Sequence, residues 1–460
     1  MLGKAKHIHF VGIGGIGMSG IAEVLINLGF KVSGSDIEKS SITDRLESLG
    51  AEISFGHSAG NVRECDVVVI SSAIGSQNVE VTEARKRGIP VIPRTTMLGE
   101  LMRMRVGIAI AGAHGKTTTT SLAAAVLDEA GCDPTVVVGG RVKSLKTNAR
   151  LGEGKFLVAE ADESDGNFVH LSPVFALITS IDAEHLDFYG GLENIYKAFI
   201  KFAKRVPFHG AVICCHDDPH VQAVIQEIDR RILTYGFGSG ADVHGGNVKA
   251  VREGMSFTLS VRGKRRGDVY LRLRGRHNVL NALGVCALAE ELDVRFNDVK
   301  SAFSHFEGVA RRLEIKGEAG GIVFVDDYGH HPTEIKATIE AARESFKRRL
   351  VVIFQPHRYT RTRDIHERFE NCFLGADEVF ITDIYAAGEK PIKGVSGELI
   401  YRAALRSGLK KVSYIPERSD LRHTVTEAIR EGDLVLTLGA GDIWKLGEEL
   451  MREKGSVSKQ

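Results

Sequence analysis

Apolar and polar positions alternate along the chain in three successive series of strand and helix patterns. From His7 to Asp36 a short apolar run, "HIHFVGIG", leads into Ile21, Val24, Leu25 and Leu28 at helical spacing; Gly29 ends that helix and "KVSGSD" resumes a strand. Further runs, "DVVVIS" and "IPVIP", continue the first series to about Arg103 and predict a small parallel-sheet domain. A second series opens with "RVGIAIAG" running straight into "HGKTTTTSLAAAVLDEAG". It continues through "KFLVAEADESD", "VFALITSIDAEHLDFY" and "AVICCHDDP", each with polar or acidic residues directly after an apolar strand. Between about Ile232 and Gly275 the period falls to two, with Phe257, Leu259 and Val261, then Val269, Leu271 and Leu273, which predicts a small antiparallel insertion before the helix "HNVLNALGVCALAEEL". A third series starts near Val309 with "GIVFVDDYGHH", "RLVVIFQPHRYTRT", "DEVFITDIYAAGE" and "GDLVLTLGAGDIWKLGEEL". The expected domains are 1–103, 104–308 and 309–460, all α/β. In open α/β sheets ligands gather beyond the carboxyl ends of the strands, where this chain concentrates its reactive side chains.

Composition narrows the picture. A length of 460 residues suits roughly three domains of about 150 residues. The content of 43% apolar and 26% charged residues with a net charge of +1 gives no bulk basicity for nucleic acid, so ligands are to be sought in pockets. Cys65, Cys132, Cys214, Cys215, Cys286 and Cys372 show no C-x-x-C pair and sit in apolar contexts, which predicts free thiols and a reducing cytoplasm. The start, "MLGKAKHIHFVGIGG", reads as a strand and not a signal peptide, because glycines interrupt its apolar run. No apolar stretch approaches the ~18 to 20 residues that span a bilayer.

Two glycine loops carry the chemistry. Gly12, Gly14 and Gly17 form G-x-G-x-x-G between a strand and a helix, the arrangement that brings backbone N–H groups to a pyrophosphate, and Asp36 at the end of the next strand is placed for a ribose hydroxyl. NAD, FAD and nucleotide-sugars all fit such a loop, and close helix–sheet packing is its bland alternative. Gly115, Lys116 and Thr117 end a Walker-A-like loop in which the lysine and backbone hold phosphates and the hydroxyl ligates magnesium. The usual first glycine would fall at Ile110, so this is a shorter loop in which Gly112 makes the turn. Glu160, Asp162, Glu163 and Asp165 follow a strand and can reach a metal on the triphosphate, and His185 lies among carboxylates after another. His330, His331, His357, Arg358 and Arg361 close equivalent strands, and arginines suit carboxylate recognition through paired N–H groups, with surface ion pairing as the plain alternative. The residues define a two-nucleotide enzyme whose first loop takes either a redox cofactor or a substrate that carries a pyrophosphate.

The stretches "GIGGIGMSG", "HGKTTTT", "EADESD", "HLDFY", "GRHNVLNAL", "GVARRLE", "DDYGHHPTEI", "QPHRYTRT", "DIYAAGE" and "GAGDI", in this order over most of the chain, resemble the Mur ligases of peptidoglycan synthesis. The resemblance implies a Rossmann-like N-terminal domain for a UDP-sugar, a P-loop ATPase-like central domain and a Rossmann-like C-terminal domain for an amino acid. It implies an ATP-dependent ligase that forms an acyl phosphate on UDP-N-acetylmuramate and passes it to L-alanine, with ATP and Mg²⁺ or Mn²⁺ as cofactors, in the cytoplasm. By this likeness Gly14, Gly15, Gly17, Met18, Asp36, Ser71 and Ser72 hold the UDP-sugar. Gly112, Ala113, His114, Gly115, Lys116, Thr117 and Thr118 hold the ATP phosphates, with Asn278, Asn281, Arg312 and Asp327 on the rest of the nucleotide. Thr117, Glu160 and His185 ligate metal, and His330, His357, Arg358 and Arg361 surround L-alanine. The catalytic set is Lys116, Glu160, His185, Arg358 and Arg361.

The chain departs from the family pattern at Ala113, usually threonine, at Ser180, usually asparagine, and at Glu184, usually aspartate. Ile200 stands where later-acting relatives use a carbamoylated lysine, so no carbamate is expected on Lys197 or Lys201. Three sites on separate sheets require closure, with hinges expected near Met104 and Val309, in a monomer or weak homodimer. The competing readings are a recycling ligase that adds a whole tripeptide, an NAD-dependent oxidoreductase joined to a P-loop module, and a non-catalytic ATP switch.

Overall fold

Three sheets organise the chain, seen in a computed structural model that describes residues 5–71, 73–139 and 149–457. The first sheet is wholly parallel, in the order Glu52–Phe55, Lys31–Asp36, His7–Val11, Val67–Ile70, Val91–Pro93. Strand order reverses between His7–Val11 and Val67–Ile70, the crevice in which open α/β sheets bind ligands. The helix after the first strand, Ile16–Asn27, buries Ile21, Val24 and Leu25, and Gly29 leaves it with φ +86°, as the spacing predicts.

The second sheet has ten strands. Its centre places Val106–Ala111 between Phe175–Ile178 and Phe156–Glu160, all parallel and buried, which explains their unbroken apolar runs. Beyond Phe175–Ile178 come Ala211–Cys215 and Ile232–Gly236. Ile232–Gly236 pairs parallel, so the window expected as an insertion begins inside the parallel sheet. Val243–Val251, Gly254–Val261 and Lys264–Leu271 then extend that sheet, and Gly254–Val261 alternates buried and half-buried positions as the period of two requires.

The third sheet runs Glu314–Ala319, Ile322–Asp327, Asp433–Leu438, Arg349–Phe354, Glu378–Ile381, Val412–Tyr414, with only its first pair antiparallel. Its switch point lies around Asp433–Leu438 and gathers the ends carrying Asp327, Gln355 and Gly439.

The chain divides into two compact units. One comprises Met1–Gly246, Thr258–Val269 and Leu280–Glu307; the other comprises Asn247–Phe257, Tyr270–Val279 and Gly308–Gln460. The segment expected as 1–103 and most of that expected as 104–308 thus fall in one unit, while Asn247–Phe257 and Tyr270–Val279 fall in the other with the segment expected as 309–460. All six cysteines are free, five of them buried. Among the described residues no helix is long and apolar enough to cross a membrane.

Candidate active site

The first glycine loop is pinned by the neighbouring strand. Gly12 and Ile13 donate their N–H groups to the Ser35 carbonyl at 2.8 and 3.0 Å. Gly14 donates to Asp36 Oδ2 at 2.8 Å, and Ile37 donates to Asp36 Oδ1 at 2.8 Å. Asp36 is therefore where the sequence places it, with both oxygens on backbone N–H groups. Gly15 caps Ile16–Asn27, and the Met18 side chain, 1% exposed, packs in the core while its N–H meets the Gly15 carbonyl. Ser71 follows Val67–Ile70 across the switch point; Ser72 lies outside the described residues. At Gly17 the backbone lies close to the Arg94 guanidinium, so a Cβ there would push Arg94 Nη1 aside.

The second loop runs from Val106–Ala111 into the helix Lys116–Glu129. Gly115 caps that helix at φ +77°, and a Cβ there would overlap Asn281 Oδ1, so only glycine fits. The loop is laced to the residues just past the strand Phe175–Ile178: Ala113 donates to the Ser180 carbonyl at 2.9 Å, His114 N–H to Ser180 Oγ at 3.0 Å, and Thr179 Oγ1 to the His114 carbonyl at 2.6 Å. The departure at Ser180 thus supplies an acceptor to the loop itself. Thr117 and Thr118 are both buried.

Lys116 Nζ donates to the Gly112 carbonyl at 2.6 Å and to Glu163 Oε1 at 2.9 Å. Burial opposes its charge, but Glu163, Glu160 and Asp162 together hold its pKa above the ordinary lysine range. One ammonium does not neutralise three carboxylates. Burial accordingly pushes Glu163 up to about 7 despite Lys116. Asp162 is also pushed up by burial, but Arg94 and then Lys116 overcome this and bring it to about 2.

Thr117 Oγ1 donates to Glu160 Oε2 at 2.9 Å, and Gly139 N–H donates to the same oxygen at 2.9 Å. His185 adopts a left-handed conformation, φ 54° and ψ 36°, and its Nε2 lies 3.9 Å from Glu163 Oε1 and 4.0 Å from Glu184 Oε2. Glu163, Glu184 and His185 have ligand atoms within 4.8 Å of one another, and Glu163 Oε2 is buried without a hydrogen-bond partner among the described residues. Hard oxygen donors with one imidazole fit a divalent cation of the Mg²⁺ or Mn²⁺ type. The family resemblance implies a metal set of Thr117, Glu160 and His185; in the structure His185 also lies within 4.0 Å of Glu163 and Glu184. Ile200 is buried, while Lys197 and Lys201 are exposed.

In the second unit Asp327 accepts N–H groups of Leu313 at 2.6 Å and Gly329 at 2.7 Å; burial pushes it up to about 6, with Arg312 opposing. Arg311 and Arg312 set their guanidinium carbons 5.0 and 5.3 Å from the Tyr328 ring centre. His357 stacks on Tyr385 with centroids 5.8 Å apart and lies 5.7 Å from His330. Arg361 Nη1 donates to His357 Nδ1 at 3.2 Å. Burial pushes His357 down to about 3, helped by His330, Arg361, Arg358 and Arg311, so the ring is neutral in a cationic setting. Arg358 holds φ 70° and ψ 137°, a strained conformation for a residue with a side chain. His331, by contrast, is buried and caps the helix Pro332–Ser345 by accepting the Thr333 N–H, the structural alternative for that histidine. Asn278 Nδ2 donates to the Arg274 carbonyl at 2.8 Å. Sequence reasoning missed Arg94, Asp182, Gln355 and Tyr385. Two of them, Arg94 and Gln355, directly follow apolar strands, the signal that singled out the other candidates.

The chain belongs to the Mur ligase family. It matches that family's catalytic domain over residues 7–105, its middle domain over 110–289 and its glutamate ligase domain over 311–441. Its relatives narrow the class. It is 54% identical to the UDP-N-acetylmuramate–L-alanine ligase of Geotalea daltonii over 98% of this chain and 99% of that one. The solved UDP-N-acetylmuramate–alanine ligase of Thermotoga maritima is 32% identical, with a TM-score of 0.82 over 99% of this chain and 100% of that one. The murein peptide ligase of Psychrobacter arcticus shares the fold at 24% identity and a TM-score of 0.71, with 98% of each chain covered.

Proposed function

We propose that the protein joins L-alanine to the carboxylate of UDP-N-acetylmuramate at the expense of ATP, in cytoplasmic peptidoglycan precursor synthesis. The observation that carries this reading is full-length similarity to ligases of that name in a chain with two phosphate-type glycine loops. One loop serves the UDP of the substrate and the other serves ATP. Neither is needed for a nicotinamide cofactor.

The muramoyl carboxylate attacks the γ-phosphorus of ATP, the bond to the bridging oxygen breaks, and ADP leaves an acyl phosphate. The amine of L-alanine then attacks the acyl carbon, expels phosphate and gives up a proton to form the amide. Both steps bring anions together, so positioning and charge neutralisation dominate. Lys116 trades its bonds to the Gly112 carbonyl and Glu163 for phosphate oxygens. Thr117 and Glu160 would hold one Mg²⁺ and Glu163, Glu184 and His185 a second; when bound, the cations supply charge neutralisation at the phosphates. Arg358 and Arg361 are assigned to the carboxylate of L-alanine. Neutral His357 offers that ligand a ring that adds no further charge.

The test is phosphate release from ATP with magnesium and UDP-N-acetylmuramate, with L-alanine present, absent or replaced by a tripeptide. Release that requires L-alanine, matched by UDP-muramoyl-alanine by mass, is expected. Release with the tripeptide alone would move the protein to the recycling ligases.

A further inference from the structure

We propose that Arg94 is a positioning residue that couples the UDP-sugar loop to the acidic loop of the ATP site. The inference rests on reading Gly12 to Gly17 as the UDP-sugar loop. Arg94 opens the helix Arg94–Arg103 directly after the edge strand Val91–Pro93, and its guanidinium lies against the first turn of Ile16–Asn27, where Gly17 makes room for it. A cation beside a helix N-terminus opposes the helix dipole and calls for anions nearby. One is present: Arg94 Nη2 donates to Asp162 Oδ2 at 2.5 Å.

Asp162 in turn orders the acidic loop. Its other oxygen accepts the Ser164 N–H at 3.0 Å, and the next residue, Glu163, holds Lys116 at 2.9 Å. A single path of contacts therefore runs from Gly17 through Arg94 and Asp162 to Glu163 and the ATP-loop lysine. The guanidinium is a planar fork with separate donor groups. Nη2 is committed to Asp162 while Nη1 faces the glycine loop, so a pyrophosphate arriving there meets Nη1 without displacing Asp162. Fixing Arg94 from one side fixes Asp162 on the other. UDP-sugar binding thereby favours the acidic-loop arrangement that receives ATP and metal, and by reciprocity ATP favours UDP-sugar.

Calorimetric titration of the full-length protein with a non-hydrolysable ATP analogue and magnesium, with and without saturating UDP-N-acetylmuramate, measures this coupling. In the unaltered protein the analogue should bind about fivefold tighter or more when the UDP-sugar is present. Arg94→Ala and Asp162→Asn should each bring that ratio to about one, the double variant should go no further, and Arg94→Lys should restore part of it. If Arg94→Ala does not fold, Asp162→Asn and Arg94→Lys carry the same test. The proposal is overturned if Arg94→Ala weakens UDP-sugar binding but leaves the ratio intact, or if the unaltered protein binds both ligands with a ratio of one. A protein that does not bind UDP-N-acetylmuramate at all overturns the reading of the loop itself.

Discussion

The two glycine loops share a strand–loop–helix plan and differ in how they handle charge. The loop at Gly12 to Gly17 is anchored by backbone N–H groups on the Ser35 carbonyl and on Asp36, and its nearby cation, Arg94, is borrowed from another helix. The loop at Gly112 to Lys116 carries its own lysine, wrapped by its own carbonyls and by carboxylates from a neighbouring strand end. A site that only binds a pyrophosphate needs donors and shape. A site that must stabilise phosphoryl transfer needs a charge that strengthens its interactions as the reaction proceeds.

The sharpest break of this contrast is Lys116→Ala. Loss of one preorganised electrostatic group at a developing charge costs about 10²- to 10³-fold in kcat. Phosphate-release kinetics should show that loss with a smaller change in KM for the UDP-sugar. Turnover within about threefold of the unaltered protein would remove Lys116 from the transition state.

Gly115→Ala comes next. It forces a side chain into φ +77° and against Asn281, a strain of about 1 to 3 kcal/mol. The expected result is a lower melting temperature together with weaker ATP-analogue binding, read by thermal unfolding and calorimetry. Unchanged values would mean that the loop is not held in the geometry described.

Asp36→Asn probes the first loop. Asparagine keeps one carbonyl acceptor but loses the charged pair of bonds to Gly14 and Ile37, so KM for the UDP-sugar should rise about tenfold, as suits the loss of one charge-assisted hydrogen bond. Steady-state kinetics should find kcat little altered. If kcat fell as far as in Lys116→Ala, the division between a binding loop and a catalytic loop would fail.

Much of this was legible because the physics is local. A glycine between an apolar strand and a helix, or a charged residue just past a strand, marks a candidate ligand-facing position whatever the rest of the fold, and this singled out Gly17, Lys116 and Arg358 as candidates, whereas Asp327 came only from the family resemblance. What escaped depends on residues distant in sequence. Arg94 and Asp162 are 68 positions apart, and neither stretch alone shows that they pair. The membership of Ile232–Gly236 in the parallel sheet is set by its neighbour Ala211–Cys215, not by its own pattern. His331 reads like His330 in sequence, yet one caps a helix and the other faces His357. The grouping of Glu163 with Glu184 and His185 likewise arises only when two strand ends meet.

The smallest expected effect concerns the charge surplus at the second loop and follows from Glu163. Burial raises its pKa in the folded protein to about 7 from an ordinary 4.5. Between those two values the folded chain holds a proton that the unfolded chain has released, so stability falls as pH rises through this window and levels off above it. Glu163→Gln cannot titrate. Its melting temperature relative to the unaltered protein should therefore improve between pH 5 and pH 8, by about a few degrees in a domain of this size. Asp327, pushed up to about 6, adds a fall of the same sign in the other unit, but it is common to both proteins and cancels in the difference. A gap between Glu163→Gln and the unaltered protein that stays constant from pH 5 to pH 8 would mean that Lys116 fully neutralises Glu163, and the two loops would then differ in shape alone.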